Sequence, residues 1–156
     1  FVCLGNICRS PLAQGVFEAL TKNENLQNQI LVSSAGTSHW HVGNPPDSRM
    51  QQTARSHNVL LTSRGRQFQA SDFKQMDLVL AMDHSNLNIL QQMRPEAELQ
   101  DKLFLFRSFD PDNNGDLDVP DPYYGGDQGF ENVYQMVERT CPKVLDHLKT
   151  QLANKT

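Results

Sequence analysis

The sequence predicts an α/β protein in which helices flank a four-stranded parallel sheet. Short apolar runs of strand length alternate with stretches whose apolar residues recur at helical spacing. The segments between successive runs are long enough to be the helical crossovers that parallel strands require. No internal repeat or low-complexity linker divides the chain, so we expect residues 1–156 to form one domain.

Four apolar runs are the candidate strands: residues 1–3, 30–33, 78–81 and 103–106. Each run is too short for a stable helix. In parallel sheets of this class, ligands bind beyond the carboxyl ends of the strands. The chemically distinctive side chains at or after these ends are Cys3, Arg9, Trp40, Asp83 and Asp121. We therefore expect them to meet at one edge of the sheet.

Three segments carry apolar residues at helical spacing. The first follows the opening loop, the second spans residues 83–93, and the third is a long C-terminal segment. Their apolar positions are Leu12, Val16 and Leu20, then Leu87 and Leu90, then Phe130, Val133, Val137, Val144 and Leu148. Pro142 lies inside the last segment and is predicted to kink or divide that helix.

The composition excludes several classes of protein. A formal net charge of −4 argues against nucleic acid as the main partner. No apolar run approaches the roughly 18 residues that predict a membrane-spanning helix. Three cysteines are too few for a secreted disulfide framework, so we expect a reducing, cytoplasmic compartment. A targeting segment removed from in front of Phe1 would be invisible. The sequence does not fix the oligomeric state, and we expect a monomer.

The stretch VCLGNICRSP, residues 2–11, predicts an anion-binding loop after the first strand. Ser10 and the proline after it fit the N-cap and first position of a helix. Backbone amides that turn around Gly5 at a helix N-terminus would form a nest for an anion. Arg9 adds a planar guanidinium suited to two oxygens. The same positive field favours a thiolate at Cys3, which predicts a nucleophile aimed at phosphorus.

Five motifs resemble, in the same order, those of the low-molecular-weight protein tyrosine phosphatases. They are CLGNICRSP, SSAGT, GNPPD, LAMDHSN and DPYYGG, and together they cover essentially the whole chain. The resemblance implies a four-stranded parallel sheet with flanking helices. It also implies hydrolysis of phosphotyrosine in proteins or peptides through a cysteinyl-phosphate, with no cofactor and no metal.

The resemblance assigns roles residue by residue. It implies that Cys3 is the nucleophile, that Arg9 binds the phosphoryl oxygens and that Asp121 is the general acid. The phosphate-binding residues would be Leu4, Gly5, Asn6, Ile7, Cys8, Arg9 and Ser10. Asn6, Ser10 and Ser34 would support the loop, and Trp40, Tyr123 and Tyr124 would form the walls of the substrate pocket. For Tyr124, simple packing remains an equal alternative.

The resemblance also bears on Cys8, Ser63 and Asp83. Cys8 would form a reversible disulfide with Cys3 under peroxide, although a small buried packing cysteine is the alternative. Ser63 stands where many family members have a histidine that supports the loop asparagine, so we expect weaker or water-mediated support. Asp83 is expected to cap the helix that follows it.

The acidic segment DPDNNGDLDVPD, residues 110–121, matches the spacing of an EF-hand calcium loop. Its flanks do not fit, because a strand leads in and Pro120 and Pro122 break the helix that should follow. The final ligand would be Asp121, where the motif has the longer glutamate. We therefore favour a solvated acidic turn over a calcium site.

Three other functions fit the sequence less well. An arsenate reductase would need further cysteines for thiol–disulfide exchange with the oxidised nucleophile, and residues 63–94 contain none. A phosphate-binding module without catalytic activity would not need to retain all three of Cys3, Arg9 and Asp121. Phosphoarginine hydrolysis, a sister specificity in this family, typically goes with threonine where this loop has Ile7. The apolar Ile7 favours an aromatic substrate.

Overall fold

The computed structural model describes residues 1–156 and confirms the predicted α/β class. One sheet contains four parallel strands: β1 (Val2–Cys3), β2 (Ala35–Gly36), β3 (Val79–Ala81) and β4 (Leu103–Leu105). Their order is β2-β1-β3-β4, with Val2 paired to Ala35 on one side and to Ala81 on the other. Cys3, which ends β1, is therefore placed at an interior position of the carboxyl edge.

Helices cover both faces of this sheet. They are α1 (Arg9–Asn23), α2 (Ser48–Ser56), α3 (Asp72–Gln75), α4 (His84–Gln91), α5 (Glu96–Leu99) and α6 (Asp127–Asn154), with a 3₁₀ turn at Phe106–Phe109. Val79 and Ala81 pack with residues of α3, α4 and α5, whereas Leu80 packs with residues of α1, α2 and α6. This alternation along β3 buries apolar side chains on both faces, as parallel sheets require. None of the helices is long and apolar enough to cross a membrane.

The second strand does not lie at residues 30–33, so that prediction is wrong. The Phe1 amino group donates to the Ser33 carbonyl, and the Ala35 amide donates to the Phe1 carbonyl, both at 3.0 Å. Residues before Ser33 make no ladder bond with β1, and Leu31 is 91% exposed. The strand instead begins at Ala35, because pairing with β1 decides its position. The other three predicted strands are correct to within one residue.

Helix α6 continues through Pro142, so the prediction that this proline divides the helix is wrong. The missing N–H leaves the Glu138 carbonyl without its usual donor, but both residues are exposed and water can reach that carbonyl. Val137 and Val144, on either side, are buried in the core. Burying such side chains contributes roughly 1.5–3 kcal/mol each, which offsets the roughly 3 kcal/mol cost of an interior proline.

Candidate active site

Residues 4–8 form the loop between Cys3, at the end of β1, and Arg9, the first residue of α1. The helix begins two residues earlier than predicted, with Cys8 rather than Ser10 as its N-cap. No side chain caps the first amides, so they remain available to an anion at the positive end of the helix dipole. Pro11 is tolerated because an amide in the first turn has no partner within the helix.

Strand β2 approaches this loop closely at Gly36. A Cβ atom there would lie 2.8 Å from the Leu4 carbonyl oxygen and 3.2 Å from the carbonyl carbon of Gly5. Both obstacles are backbone atoms, which cannot move aside like the end of a flexible side chain. The glycine of the SSAGT motif therefore permits the loop to pack against the sheet.

Asn6 supports the loop from inside. Its φ of 56° lies in the left-handed region, which asparagine tolerates better than most residues. Its Nδ2 donates to Ser10 Oγ at 2.7 Å and to Ser34 Oγ at 2.9 Å, while its Oδ1 accepts from the Arg66 amide at 3.0 Å. The Arg66 backbone thus supports Asn6 directly, so the absence of a histidine at Ser63 does not leave Asn6 dependent on water.

The Ser10 hydroxyl lies 3.0 Å from Cys3 Sγ in a buried setting. Because Asn6 donates to Ser10 Oγ, the hydroxyl proton is free to point at the sulfur. Only a longer contact of 3.4 Å, to the Ala35 carbonyl, competes for it. A hydroxyl proton aimed at the sulfur can stabilise negative charge that develops there during a reaction, and the low local dielectric strengthens that bond.

Gln14 extends this network, although no sequence motif pointed to it. Its Oε1 accepts from Ser34 Oγ at 2.6 Å, and its Nε2 donates to Glu18 at 2.8 Å. A chain of hydrogen bonds therefore runs from Glu18 through Gln14, Ser34 and Asn6 to Ser10. The spacing of four residues between Ser10 and Gln14, which places both on one face of α1, was the available signal.

Arg9 is 2% exposed and held by long-range contacts. Its Nη1 donates to Asp83 Oδ2 at 2.6 Å and to the Val119 carbonyl at 3.0 Å, while its Nη2 lies 3.5 Å from Asp121 Oδ2. Burial alone would lower the pKa of this guanidinium, but negative charge at Cys3, Asp83 and Asp121 outweighs burial and raises the pKa. Arg9 is therefore a cation with a fixed orientation.

Asp83 does more than the sequence predicted. Its Oδ1 accepts from the Asn86 amide at 2.8 Å, which confirms the expected cap of α4. Its other oxygen binds Arg9, 74 positions away along the chain. Asp83 therefore orients the guanidinium as well as starting the helix.

A cavity of about 130 Å³ opens at the loop. It is lined by Cys3, Leu4, Gly5, Ile7, Cys8, Arg9, Trp40, His41, Asp121, Tyr123 and Tyr124. The predicted support residues Asn6, Ser10 and Ser34 lie behind the loop and are buried. His41 was not among the predicted site residues. A larger cavity of about 490 Å³, near Phe1 and Leu78, is mainly apolar and is lined by no cysteine.

Three aromatic side chains border the small cavity. Trp40 is 66% exposed and Tyr124 is 91% exposed. Tyr123 is 38% exposed and lies under the Arg49 guanidinium, whose carbon is 5.3 Å from the ring centroid. The rings of Tyr123 and Tyr124 meet edge to face with their centroids 4.9 Å apart. The aromatic rim is therefore open to solvent.

The two cysteines of the loop differ in environment. Both are free thiols, and Cys8 is 4% exposed. Burial raises the pKa of Cys8, and the negative charges of Asp47 and Cys3 raise it further. Cys8 is therefore neutral at physiological pH, whereas Cys3 has a hydroxyl donor beside its sulfur.

The acidic segment at residues 110–118 uses its carboxylates within the protein. Asp110 binds Arg107 at 3.0 Å and Arg139 at 2.8 and 2.9 Å, and Asp118 binds His84 at 2.6 Å. Burial alone would raise the pKa of Asp110, but hydrogen bonds from Arg139, the Asp112 amide and Arg107 lower it. We find no group of three or more His, Cys, Asp or Glu side chains arranged to hold a metal ion.

We expect millimolar calcium, or a chelator, to leave both the melting temperature and the activity unchanged. The reason is that Asp110, which would be the first calcium ligand, is already paired with two arginines. The measurement is thermal unfolding with and without calcium, beside a steady-state assay. A saturable rise in the melting temperature at low calcium concentration would contradict this expectation.

A thiol, a buried arginine and a loop of uncapped amides at the carboxyl edge of a parallel sheet define an α/β protein with a candidate anion site beside a potential nucleophile. A family model described as low molecular weight phosphotyrosine protein phosphatase matches residues 1–154. A low molecular weight protein-tyrosine-phosphatase of Streptomyces coelicolor is 43% identical over 97% of this chain and 93% of its own length. The chain therefore belongs to the low molecular weight phosphotyrosine protein phosphatase family, and it is a hydrolase.

Solved structures agree with this assignment. The crystal structure of a protein tyrosine phosphatase from Entamoeba histolytica matches with a TM-score of 0.91 at 38% identity, covering 97% of this chain and 96% of that one. The structure of an arginine phosphatase from Drosophila matches with a TM-score of 0.87 at 36% identity, covering 96% of each chain. The fold is thus shared by enzymes named for different phosphorylated residues.

Proposed function

We propose that Cys3, Arg9 and Asp121 together hydrolyse phosphotyrosine. The Cys3 thiolate attacks the phosphorus in line, so that an S–P bond forms as the P–O bond to the phenol breaks. The loop amides and Arg9 hold the three non-bridging oxygens throughout. Asp121 gives its proton to the departing phenol oxygen and then removes a proton from the water that hydrolyses the cysteinyl-phosphate.

The observation that carries this proposal is the contact between Ser10 Oγ and Cys3 Sγ at 3.0 Å. The Ser10 hydroxyl, held by Asn6 and aimed at the sulfur, would add little to the stability of a cysteine that only packs in the core. It would stabilise a thiolate nucleophile. The Asp121 carboxylate is partly exposed and lines the same cavity, where it can reach a leaving group. No metal or cofactor takes part in these steps.

The rim of the cavity supports an aromatic substrate. The phosphate must reach the loop past Trp40 and Tyr123, which offer flat faces to a phenyl ring. A phosphoserine side chain is shorter and has no ring to place between them. We propose phosphotyrosine-containing proteins or peptides as substrates, with Tyr124 as an outer wall.

Phosphoarginine hydrolysis is the second candidate, favoured by the similarity to the Drosophila arginine phosphatase. The deciding experiment compares phosphotyrosine, phosphoserine and phosphoarginine peptides of one sequence in the presence of a chelator. We expect kcat/KM to be highest for the phosphotyrosine peptide. Preferential hydrolysis of phosphoarginine would overturn the proposed specificity.

We expect Ile7→Thr to lower kcat/KM for phosphotyrosine by about fivefold and to increase hydrolysis of phosphoarginine. Ile7 lines the cavity, and the exchange replaces apolar contact with a hydroxyl, at a cost of about 0.8 kcal/mol per lost methylene. Both peptides should be assayed with the wild type, with Ile7→Thr and with the matched control Ile7→Val. Unchanged specificity in Ile7→Thr would show that Ile7 does not determine the preference for an aromatic substrate.

We also propose that the protein works as a monomer in the cytoplasm. Its cysteines are all free thiols, and a thiolate nucleophile keeps its activity only where the compartment is reducing. Sedimentation of the purified protein tests the first statement, and fractionation of source cells tests the second.

A further inference from the structure

The segment that carries Asp121 has no secondary structure of its own. We call residues 118–121 the acid strap; they belong to neither a helix nor a strand. The position of Asp121 must therefore come from tertiary contacts. Such contacts hold the peptide unit that joins Asp118 to Val119, which lies two residues before Asp121.

Both sides of this peptide unit are hydrogen-bonded. The Val119 amide donates to the Met82 carbonyl at 2.8 Å, and the Asp118 carbonyl accepts from Arg107 Nη1 at 2.9 Å. Val119 is 1% exposed, so little water can replace either bond. Two peptide groups separate this unit from Asp121: the Val119 carbonyl of the first accepts from Arg9 Nη1 at 3.0 Å, and the φ of Pro120 is fixed by its ring. With these later groups restrained, a change in the orientation of the Asp118–Val119 unit is expected to move the Asp121 carboxylate.

We infer that Arg107 is a positioning residue for the general acid and acts through the Asp118 carbonyl. Arg107 is 4% exposed, and its Nε donates to Asp110 Oδ2 at 3.0 Å, which fixes the guanidinium in place. No other side chain donates to the Asp118 carbonyl. The inference rests on the proposed role of Asp121 and concerns a residue outside the substrate cavity.

A second contact to the strap is weaker. His84 Nδ1 lies 2.6 Å from an oxygen of the Asp118 side chain, but the two side chains are 58% and 47% exposed. Solvent screens a pair of this kind. The strap is therefore anchored by buried bonds to its backbone: Arg107 binds the Asp118 carbonyl, Arg9 binds the Val119 carbonyl, and the Val119 amide binds Met82. Of the two arginines, Arg107 is the one that lies outside the cavity.

Arg139 provides a matched control. It binds the same Asp110 carboxylate as Arg107, at 2.8 and 2.9 Å, but makes no bond to the acid strap. Replacing either arginine by methionine removes one buried or half-buried charge and leaves Asp110 with one arginine and the Asp112 amide as partners. Only the Arg107 variant also releases the Asp118 carbonyl. It further loses a 3.3 Å contact to Asp116, which is exposed and screened by solvent.

The experiment measures kcat/KM for phenyl phosphate and for p-nitrophenyl phosphate, and reports their ratio. Nitrophenol leaves readily as an anion, so the ratio measures proton donation, and it does not depend on the fraction of folded protein in a preparation. We expect Arg107→Met to lower the ratio about tenfold. Arg139→Met should keep the wild-type ratio, and Arg107→Met added to Asp121→Asn should not change the ratio of that variant further.

Equal ratios in Arg107→Met and wild type would overturn the inference, as would the same fall in Arg139→Met. If Asp121→Asn itself leaves the ratio unchanged, Asp121 is not the general acid. The inference about Arg107, which rests on that role, is then wrong as well. Arg107→Lys is the second variant, for use if Arg107→Met does not fold. Its ammonium cannot reproduce the fork that spans Asp110 and the Asp118 carbonyl, so it should lower the ratio as well.

Discussion

Cys3→Ser is expected to abolish turnover, with a loss on the order of 10⁴-fold or more, while the protein still binds inorganic phosphate. An alcohol in place of the thiol is a much weaker nucleophile at neutral pH, and the Ser10 hydroxyl cannot make up the difference. The loop amides and Arg9 remain in place, so the anion site is retained. Steady-state kinetics measure the first effect, and calorimetric titration with phosphate measures the second.

Cys141→Ala is the matched control for this variant. Cys141 is also a buried free thiol, but it lies in α6 and lines neither the loop nor the cavity. Its loss should leave the activity of the folded protein intact. Substantial hydrolysis by Cys3→Ser would remove Cys3 from the role of nucleophile, and loss of phosphate binding would show that the thiol shapes the loop.

Asp121→Asn is expected to lower kcat/KM for phosphotyrosine on the order of 10²-fold, and kcat/KM for p-nitrophenyl phosphate far less. Tyrosine has a phenol pKa near ~10 and needs a proton to depart, whereas nitrophenolate does not. We use kcat/KM because it covers the steps up to departure of the leaving group, before Asp121 is needed again as a base. Asparagine keeps the size of the side chain but cannot donate that proton.

Asp112→Asn is the control for Asp121→Asn. It removes one negative charge from the same acidic stretch, on an exposed side chain outside the cavity. We expect it to leave both substrates unaffected. Equal losses for the two substrates in Asp121→Asn would indicate a structural aspartate, because a turn residue does not discriminate between leaving groups.

The buried arginines mark the limit of what sequence patterns can indicate. Arg9 was predicted to bind phosphate, yet its partners Asp83 and the Val119 carbonyl lie 74 and 110 positions away. No sequence pattern distinguishes Arg107, although it is 4% exposed and binds the strap that carries Asp121. Each guanidinium could have bound any of many carboxylates and carbonyls. Neither periodicity nor spacing in the sequence indicates which of these distant groups becomes its partner.

Element boundaries show the same limit on a smaller scale. The apolar run at residues 30–33 was predicted as a strand, but β2 starts at Ala35 because only there does the chain pair with β1. Pro142 was expected to kink or divide a helix that the structure keeps continuous. In both cases tertiary contacts overrode local propensity: pairing with β1 for the strand, and burial of Val137 and Val144 for the helix.

The α/β class and the loop between β1 and α1 could both be read from the sequence alone. The strand, the loop and the start of α1 are contiguous in residues 2–11, so the turn of the amides, the cysteine and the arginine follow from local geometry. Tertiary structure alone decided how that loop is held, through Arg66, Gln14 and Asp83, and where Asp121 stands relative to Arg9. Those positions depend on which segments pack against one another. The packing arrangement is determined by the total apolar surface that the whole core buries.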